Sequence, residues 1–87
     1  MKIRATDHFE FLSAKLCKKN RNLGSKIDDT IRLLASNPKH PSLRLHKIHT
    51  KPQDSWSISI DMKTRIIFVY KEYGILLVGI GNHDQVY

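Results

Sequence analysis

Cysteine and long apolar runs are scarce in this sequence. Cys17 stands alone, which excludes an internal disulfide and favours a reducing compartment. No run of about 18 apolar residues occurs, and no apolar N-terminal segment precedes a small-residue cleavage site. The sequence therefore predicts a soluble, cytoplasmic protein with neither a membrane span nor a signal peptide.

Acidic residues are scarce as well. Eight Asp and Glu residues oppose 15 Lys and Arg residues, so the chain of 87 residues carries a formal charge of +7. The positive electrostatic field of this charge attracts polyanions such as nucleic acid, or an acidic protein partner. Charge does not determine fold, so a soluble basic protein without such a ligand is the alternative. The length fits one domain, which we expect to span residues 1–87.

Two helices are predicted in the first half, after a short edge strand at residues 2 to 6. Apolar residues recur at helical spacing in two stretches. They are Phe9, Leu12 and Leu16 in the first stretch, over residues 7 to 21, and Ile27, Ile31 and Leu34 in the second. A tight turn at residues 22 to 25 separates them, so the pattern indicates a helical hairpin.

Capping signals place the ends of these helices. Asp7 with Glu10, and Ser25 with Asp28, each have the three-residue spacing of a capping box. Pro38 ends the second helix, because a proline disfavours the helical conformation of the residue before it.

Three strands are predicted in the second half. SWSISID, residues 55 to 61, alternates Trp56, Ile58 and Ile60 with serines, which indicates a half-buried strand. RIIFVY, residues 65 to 70, and ILLVGI, residues 75 to 80, are nearly all apolar and are typical of strands covered on both faces. The hairpin turns DMKT and KEYG join them. The fold class is therefore α+β, a helical hairpin packed on one face of an antiparallel meander.

A basic segment, PKHPSLRLHKIHTKP, lies between Pro38 and Pro52. It is a loop or an irregular strand, part of which can pair with the sheet. His46 and His49 have the HxxH spacing of metal ligands, but a third ligand is missing and Lys47 repels cations, so we expect no metal. Proton transfer or phosphate contact by His46 and Lys47 is one interpretation, and solvated loop charge is the other.

Arg65 opens a strand that is otherwise apolar. Its planar guanidinium suits a phosphate, whereas the alternative is an ion pair with Asp61 or Asp84. The loop before it decides which face it occupies. A two-residue loop at Met62 and Lys63 puts Arg65 on the Trp56 face, whereas an odd loop puts it with the serines, the arrangement that a site open to RNA favours.

The last residues, GIGNHDQVY, place His83 and Tyr87 beyond a strand. A histidine exchanges protons near neutral pH, as RNA cleavage by its own 2′-hydroxyl requires, whereas a solvated terminal histidine is the alternative. Tyr87 is a candidate for base stacking. Trp56 alternates with isoleucines and is interpreted as a core residue.

NPKHPSLRLHKI, WSISIDMKTRIIFVY and GIGNHDQVY together resemble the RelE/ParE superfamily of toxins from type II toxin–antitoxin modules. Within it the sequence is most similar to the YafQ-like and RelE-like messenger-RNA interferases. The resemblance implies a RelE-like fold over the whole chain, and a metal-independent endoribonuclease that cuts messenger RNA on the ribosome without a cofactor. It also implies a cognate antitoxin, as part of a hetero-oligomer.

The resemblance also implies residue roles. His83 matches a tail histidine that transfers protons, Tyr87 the terminal aromatic, and Arg65 a strand arginine that steadies the scissile phosphate. His46 falls where members place an acid or base, and which of His46 and His83 is the base stays open. The expected RNA-binding residues are Arg44, Lys47, His49, Lys51 and Lys63. Two alternatives remain: a non-catalytic toxin that binds DNA gyrase, and a small basic RNA-binding protein.

Overall fold

The computed structural model describes residues 1–49 and 53–82 of the chain. In order, the elements are β1 (Lys2–Ala5), α1 (Asp7–Lys19), α2 (Leu23–Ser36), a 3₁₀ helix (Pro41–Leu43), β2 (His46–Ile48), β3 (Ser55–Ser59), β4 (Thr64–Lys71) and β5 (Gly74–Asn82). The helical hairpin, the paired part of the basic segment and the three later strands are thus confirmed. No helix in the described ranges is long and apolar enough to cross a membrane.

The five strands form one mixed sheet in the order β1-β5-β4-β3-β2. β3, β4 and β5 make the predicted antiparallel meander, with β4 at the centre. β2 adds to one edge antiparallel to β3, and β1 adds to the other edge parallel to β5. The fold is α+β, as predicted from the sequence.

The helices begin at other caps than those predicted. Thr6 is the N-cap of α1: its backbone is extended, and its hydroxyl accepts a hydrogen bond from Phe9 N at 3.0 Å. Asp7 and Glu10 lie in the first turn, where negative charge favours the helix dipole, so the predicted capping box is wrong. α1 ends at Lys19, because Asn20 has already left the helical conformation.

The second predicted capping box is wrong too. α2 begins at Leu23, two residues before Ser25, and its N-cap Asn22 makes no side-chain cap bond. Ser25 therefore lies inside the helix, where its hydroxyl donates to Asn22 O at 3.3 Å. The end of α2 is as predicted, with Asn37 at the C-cap immediately before Pro38.

The core lies between the helices and one face of the sheet. Residues from both helices, the 3₁₀ helix and the three central strands are buried there: Phe9, Leu23, Ile27, Leu34, Leu43, Ile58, Ile66, Phe68, Ile75, Leu77 and Ile80. Cross-strand partners share a face, and Ile58 is opposite Ile66, which is opposite Ile80. The helices therefore cover this face, which we call the core face.

The hairpin between β4 and β5 requires a glycine. Its two-residue loop, Glu72 and Tyr73, ends at Gly74, which has φ 145°. A Cβ atom on Gly74 would lie 2.2 Å from Lys2 O in the neighbouring strand. Gly74 thus permits both the turn and the close approach of β1.

The other face of the sheet carries Ser55, Ser57 and Ser59, and we call it the serine face. The alternation of β3 is as predicted, but the prediction that β3 is only half-buried is wrong at two serines. Ser55 is 5% exposed and Ser57 is fully buried. The side chain of Arg65 accounts for part of this burial, because it lies against Ser57.

Candidate functional site

A three-residue loop places Arg65 on the serine face. Arg65 is directly opposite Ser59 in the sheet, and Ile60 N donates to Thr64 O at 2.9 Å across the base of the loop. Asp61, Met62 and Lys63 form the loop, so its length is odd. Of the two alternatives for Arg65, the structure has the one in which it lies away from Trp56 and from the helices.

Asp61 holds this loop together. Its carboxylate Oδ1 accepts hydrogen bonds from Lys63 N at 2.9 Å and from Thr64 N at 2.8 Å, and Oδ2 lies 3.9 Å from Lys26 Nζ. Partial burial acts to raise the pKa of Asp61, but the bonds from Lys63 and Thr64 and the charge of Lys26 outweigh it and lower the pKa below 3.8. Asp61 is thus engaged within its loop and with α2.

Two elements orient the guanidinium of Arg65. Nε donates to the hydroxyl of Ser57 on β3, and Nη2 donates to the carbonyl of Arg44 at 3.0 Å. Arg44 has a left-handed backbone, φ 49° and ψ 52°, at the end of the 3₁₀ helix. Leu43, only 2% exposed, anchors that helix in the core, so the carbonyl that meets Arg65 sits on a fixed support.

His46 lies near the same group. It begins β2, is exposed, and is directly opposite Ser57 in the sheet. Opposite residues of antiparallel strands have Cβ atoms roughly 5 Å apart on the same face. His46, Ser57 and Arg65 are therefore neighbours on the serine face.

Lys47 and His49 are engaged elsewhere. Lys47 is opposite Trp56, on the core face, and its Nζ lies 3.2 Å from Asp54 Oδ2 and 5.6 Å from the centre of the Trp56 ring. His49 Nδ1 lies 3.4 Å from Asp54 Oδ1. The hydrogen bond from Lys47 is the largest cause that lowers the pKa of Asp54 below 3.8, and the bond from His49 adds to it.

Asp54 was missed by the sequence reasoning. The signal lay in the pairing of the basic segment with β3, because Asp54, immediately before β3, lies beside Lys47 and His49 of that segment. Arg44 and Lys63 differ from Lys47, because both are exposed and no salt bridge within residues 1–49 and 53–82 includes them.

Three predicted site residues, Lys51, His83 and Tyr87, lie outside the described residues. The described part of β5 ends at Asn82, opposite Thr64, and the preceding Gly81 is opposite Arg65.

Trp56 packs with the core, as predicted. It is half-buried, its ring centre lies 6.3 Å from that of Phe68 in a stacked arrangement, and it meets Tyr70 edge-on at 4.7 Å. Within the described ranges, no group of three or more His, Cys, Asp or Glu side chains is arranged to hold a metal ion.

Comparison with solved structures identifies the fold. The toxin YafQ in the E. coli DinJ–YafQ toxin–antitoxin complex is 14% identical, with 99% of this chain and 96% of that chain covered and a TM-score of 0.79. A copper-bound mutant toxin from Helicobacter pylori is 18% identical, with 100% and 99% covered and a TM-score of 0.83. The YoeB/ParE toxin from Agrobacterium tumefaciens is 18% identical, with 95% and 99% covered and a TM-score of 0.77.

This chain has the RelE/ParE toxin fold. No protein-family model and no curated protein matches its sequence. In this RelE/ParE fold the helices cover the core face, and the guanidinium of Arg65 lies on the opposite face of the sheet.

Proposed function

We propose that this protein is the toxin of a toxin–antitoxin pair, an endoribonuclease that cleaves messenger RNA on the ribosome and so inhibits translation. The observation that carries the proposal is the guanidinium of Arg65, held by Ser57 and Arg44 on the serine face beside His46. The planar guanidinium of an arginine oriented in this way suits bidentate binding of a phosphate.

The reaction is attack of a ribose 2′-oxygen on the adjacent phosphorus. The new P–O bond closes a 2′,3′-cyclic phosphate, and the bond to the 5′-oxygen of the next nucleotide breaks. A base removes the proton of the 2′-hydroxyl, and an acid protonates the leaving oxygen. In this proposal His46 and His83 fill these two roles, Arg65 stabilises the charge of the phosphorane, and Tyr87 stacks on a base. No metal takes part.

Exposed cations around the serine face bind the RNA backbone. Arg44 and Lys63 are exposed and form no salt bridge within residues 1–49 and 53–82. We propose that Lys47 and His49, which lie beside Asp54, and Lys51 extend the RNA contact along the basic segment beyond the serine face. The net charge of +7 attracts the protein to ribosomal and messenger RNA.

The partner is a cognate antitoxin. The E. coli YafQ neighbour was solved in a toxin–antitoxin complex with DinJ, and this chain has the same fold. We expect an antitoxin with an acidic or amphipathic segment that folds on the basic surface in the cytoplasm and covers or distorts the site with Arg65 and His83. A complex that leaves this site open and fully active would contradict that expectation.

Primer extension on a messenger RNA in a translating extract tests the function. Wild-type protein should produce cuts at defined codon positions that vanish with His83→Ala, and the upstream fragments should end in 2′,3′-cyclic phosphate. Growth arrest without any cut would overturn the proposal and favour a gyrase-binding toxin, which a supercoiling assay detects. RNA binding without arrest or cutting would favour a non-toxic RNA-binding protein.

A further inference from the structure

We infer that Ser57 is the positioning residue that aims Arg65 at the scissile phosphate. The inference rests on the proposed function, since it assigns Ser57 a role through Arg65. Ser57 is the middle residue of β3, the strand between β2 and β4. It is fully buried although it is polar. A buried hydroxyl is costly unless it is hydrogen-bonded, and this hydroxyl accepts the bond from Arg65 Nε.

Two hydrogen bonds fix the orientation of the guanidinium of Arg65. Ser57 and the carbonyl of Arg44 both bind the edge of the guanidinium formed by Nε and Nη2. A planar fork held along one edge has a fixed orientation. Ser57 thereby sets the direction in which Arg65 meets its ligand.

The neighbouring serines do not share this role. Ser59 is directly opposite Arg65, yet its hydroxyl donates to Asp61 O at 2.8 Å and so belongs to the loop. Ser55 is opposite Ile48, two residues further from Arg65 along β3. Ser57 lies diagonally across from Arg65, roughly 7–8 Å away, which a long side chain can span.

Ser57 also sets the spacing between the two groups of the site. It is directly opposite His46 on one side and binds Arg65 on the other. The rigid pairing of β2 and β3 therefore relates a candidate acid or base to the phosphate-binding group through one residue. Misplacing such groups by about 1 Å can cost on the order of a hundredfold in rate.

The test compares Ser57→Thr with Ser57→Val on programmed ribosomes under single-turnover conditions. The two replacements have nearly the same shape, and only threonine keeps a hydroxyl for Arg65 Nε. We expect Ser57→Val to cut about tenfold to a hundredfold more slowly than Ser57→Thr at saturating toxin, with little change in the half-saturating concentration. Ser59→Ala, which removes a hydroxyl two residues away, should cut at nearly the wild-type rate.

A second comparison separates positioning from a merely structural role. In an Arg65→Lys background no Nε–H remains, so the difference between Ser57→Thr and Ser57→Val should shrink to less than about twofold. Equal rates for the two replacements, or the same difference with lysine at 65, would overturn the inference while the proposed function stands. Wild-type cutting by Arg65→Ala would instead defeat the proposed function itself.

Discussion

One face of β4 lies against apolar side chains, and the other lies against hydrogen-bonding groups. Ile66 and Phe68 point into the core beneath the helices and are fully buried, whereas Arg65 and Ile67, on the serine face, are half-buried. The core face is held by apolar packing with both helices, and the serine face near Arg65 is organised by hydrogen bonds to a hydroxyl and a carbonyl. Adjacent residues of one strand thus serve stability and the proposed chemistry separately, and substitutions should separate the two.

The largest effect is expected for Arg65→Ala on the serine face. Loss of the guanidinium removes the charge proposed to stabilise the phosphorane, so inhibition of translation in a cell-free extract should weaken about 10²–10³-fold. Arg65→Lys keeps a charge without the planar fork and should fall between alanine and wild type. Thermal stability should fall less than after truncation of a core residue, because only the hydrogen bonds of Arg65 are lost. A collapse of stability in Arg65→Ala would contradict the division between the faces.

Ile66→Ala, one residue away, tests the core face. Truncation of this buried side chain leaves a cavity and should lower the free energy of unfolding by about 2–5 kcal/mol, measured by urea denaturation. Ile66→Val, the milder control, should lose roughly 1 kcal/mol. Activity per folded molecule should match wild type for both, because neither side chain reaches the serine face. Ile66→Val protein that is fully folded but inactive would argue against the account.

Much of this fold could be predicted from local sequence patterns. The 3.6-residue periodicity located both helices, the 2-residue alternation located β3, and continuous apolar runs located β4 and β5. Asn37 before Pro38 marked the end of α2. The N-cap of α1 was mispredicted because Thr6 and Asp7 are both good N-cap residues. Thr6 is also tied to β5, where its N–H donates to Leu77 O at 3.0 Å, a contact that the local sequence does not show. The parallel docking of β1 on β5 depends on Gly74, and no pattern within β1 signals it.

The candidate site was less predictable. Arg65 stood out as a charge in an apolar strand, but its face depended on the loop around Asp61, where one residue more or less reverses the outcome. Ser57 looked like a solvent-facing residue, because alternation alone does not show that an arginine covers it. The left-handed backbone of Arg44, which turns a carbonyl towards Arg65, leaves no mark in composition or spacing.

Asp61→Ala should loosen the loop that assigns Arg65 to the serine face. Its carboxylate accepts two backbone N–H bonds, so we expect a loss of about 1–2 kcal/mol in the free energy of unfolding at pH 7. The pKa of Asp61 is lower in the folded than in the unfolded protein. Its contribution is therefore present above about pH 4 and is lost as the pH falls through the lowered pKa.

Urea denaturation of wild type and Asp61→Ala from pH 7 down to about pH 2 measures the contribution of Asp61 to the free energy of unfolding. The difference between the two proteins should narrow below pH 4, and Asp61→Asn, which keeps an acceptor oxygen, should be the milder change. A difference that is constant over the whole pH range would refute the assignment.

The smallest effect is expected for substitution of a single cation. It distinguishes Arg44, which has no salt bridge within the described residues, from Lys47, which pairs with Asp54. Arg44→Ala should weaken RNA binding several-fold and reduce the salt dependence of the binding constant by about one charge. Lys47→Ala should do less, because Asp54 already neutralises Lys47. Filter binding at several salt concentrations measures both, and Asp54→Asn should bind RNA more tightly than wild type. A larger loss for Lys47→Ala than for Arg44→Ala would reverse the comparison.

The most direct test of the serine face as the catalytic site is a primer-extension map of one messenger RNA in a translating extract, with wild type, Arg65→Ala and Ile66→Val added at equal folded concentration. The account predicts the same codon-positioned cuts for wild type and Ile66→Val and none for Arg65→Ala. Undiminished cuts with Arg65→Ala would contradict it.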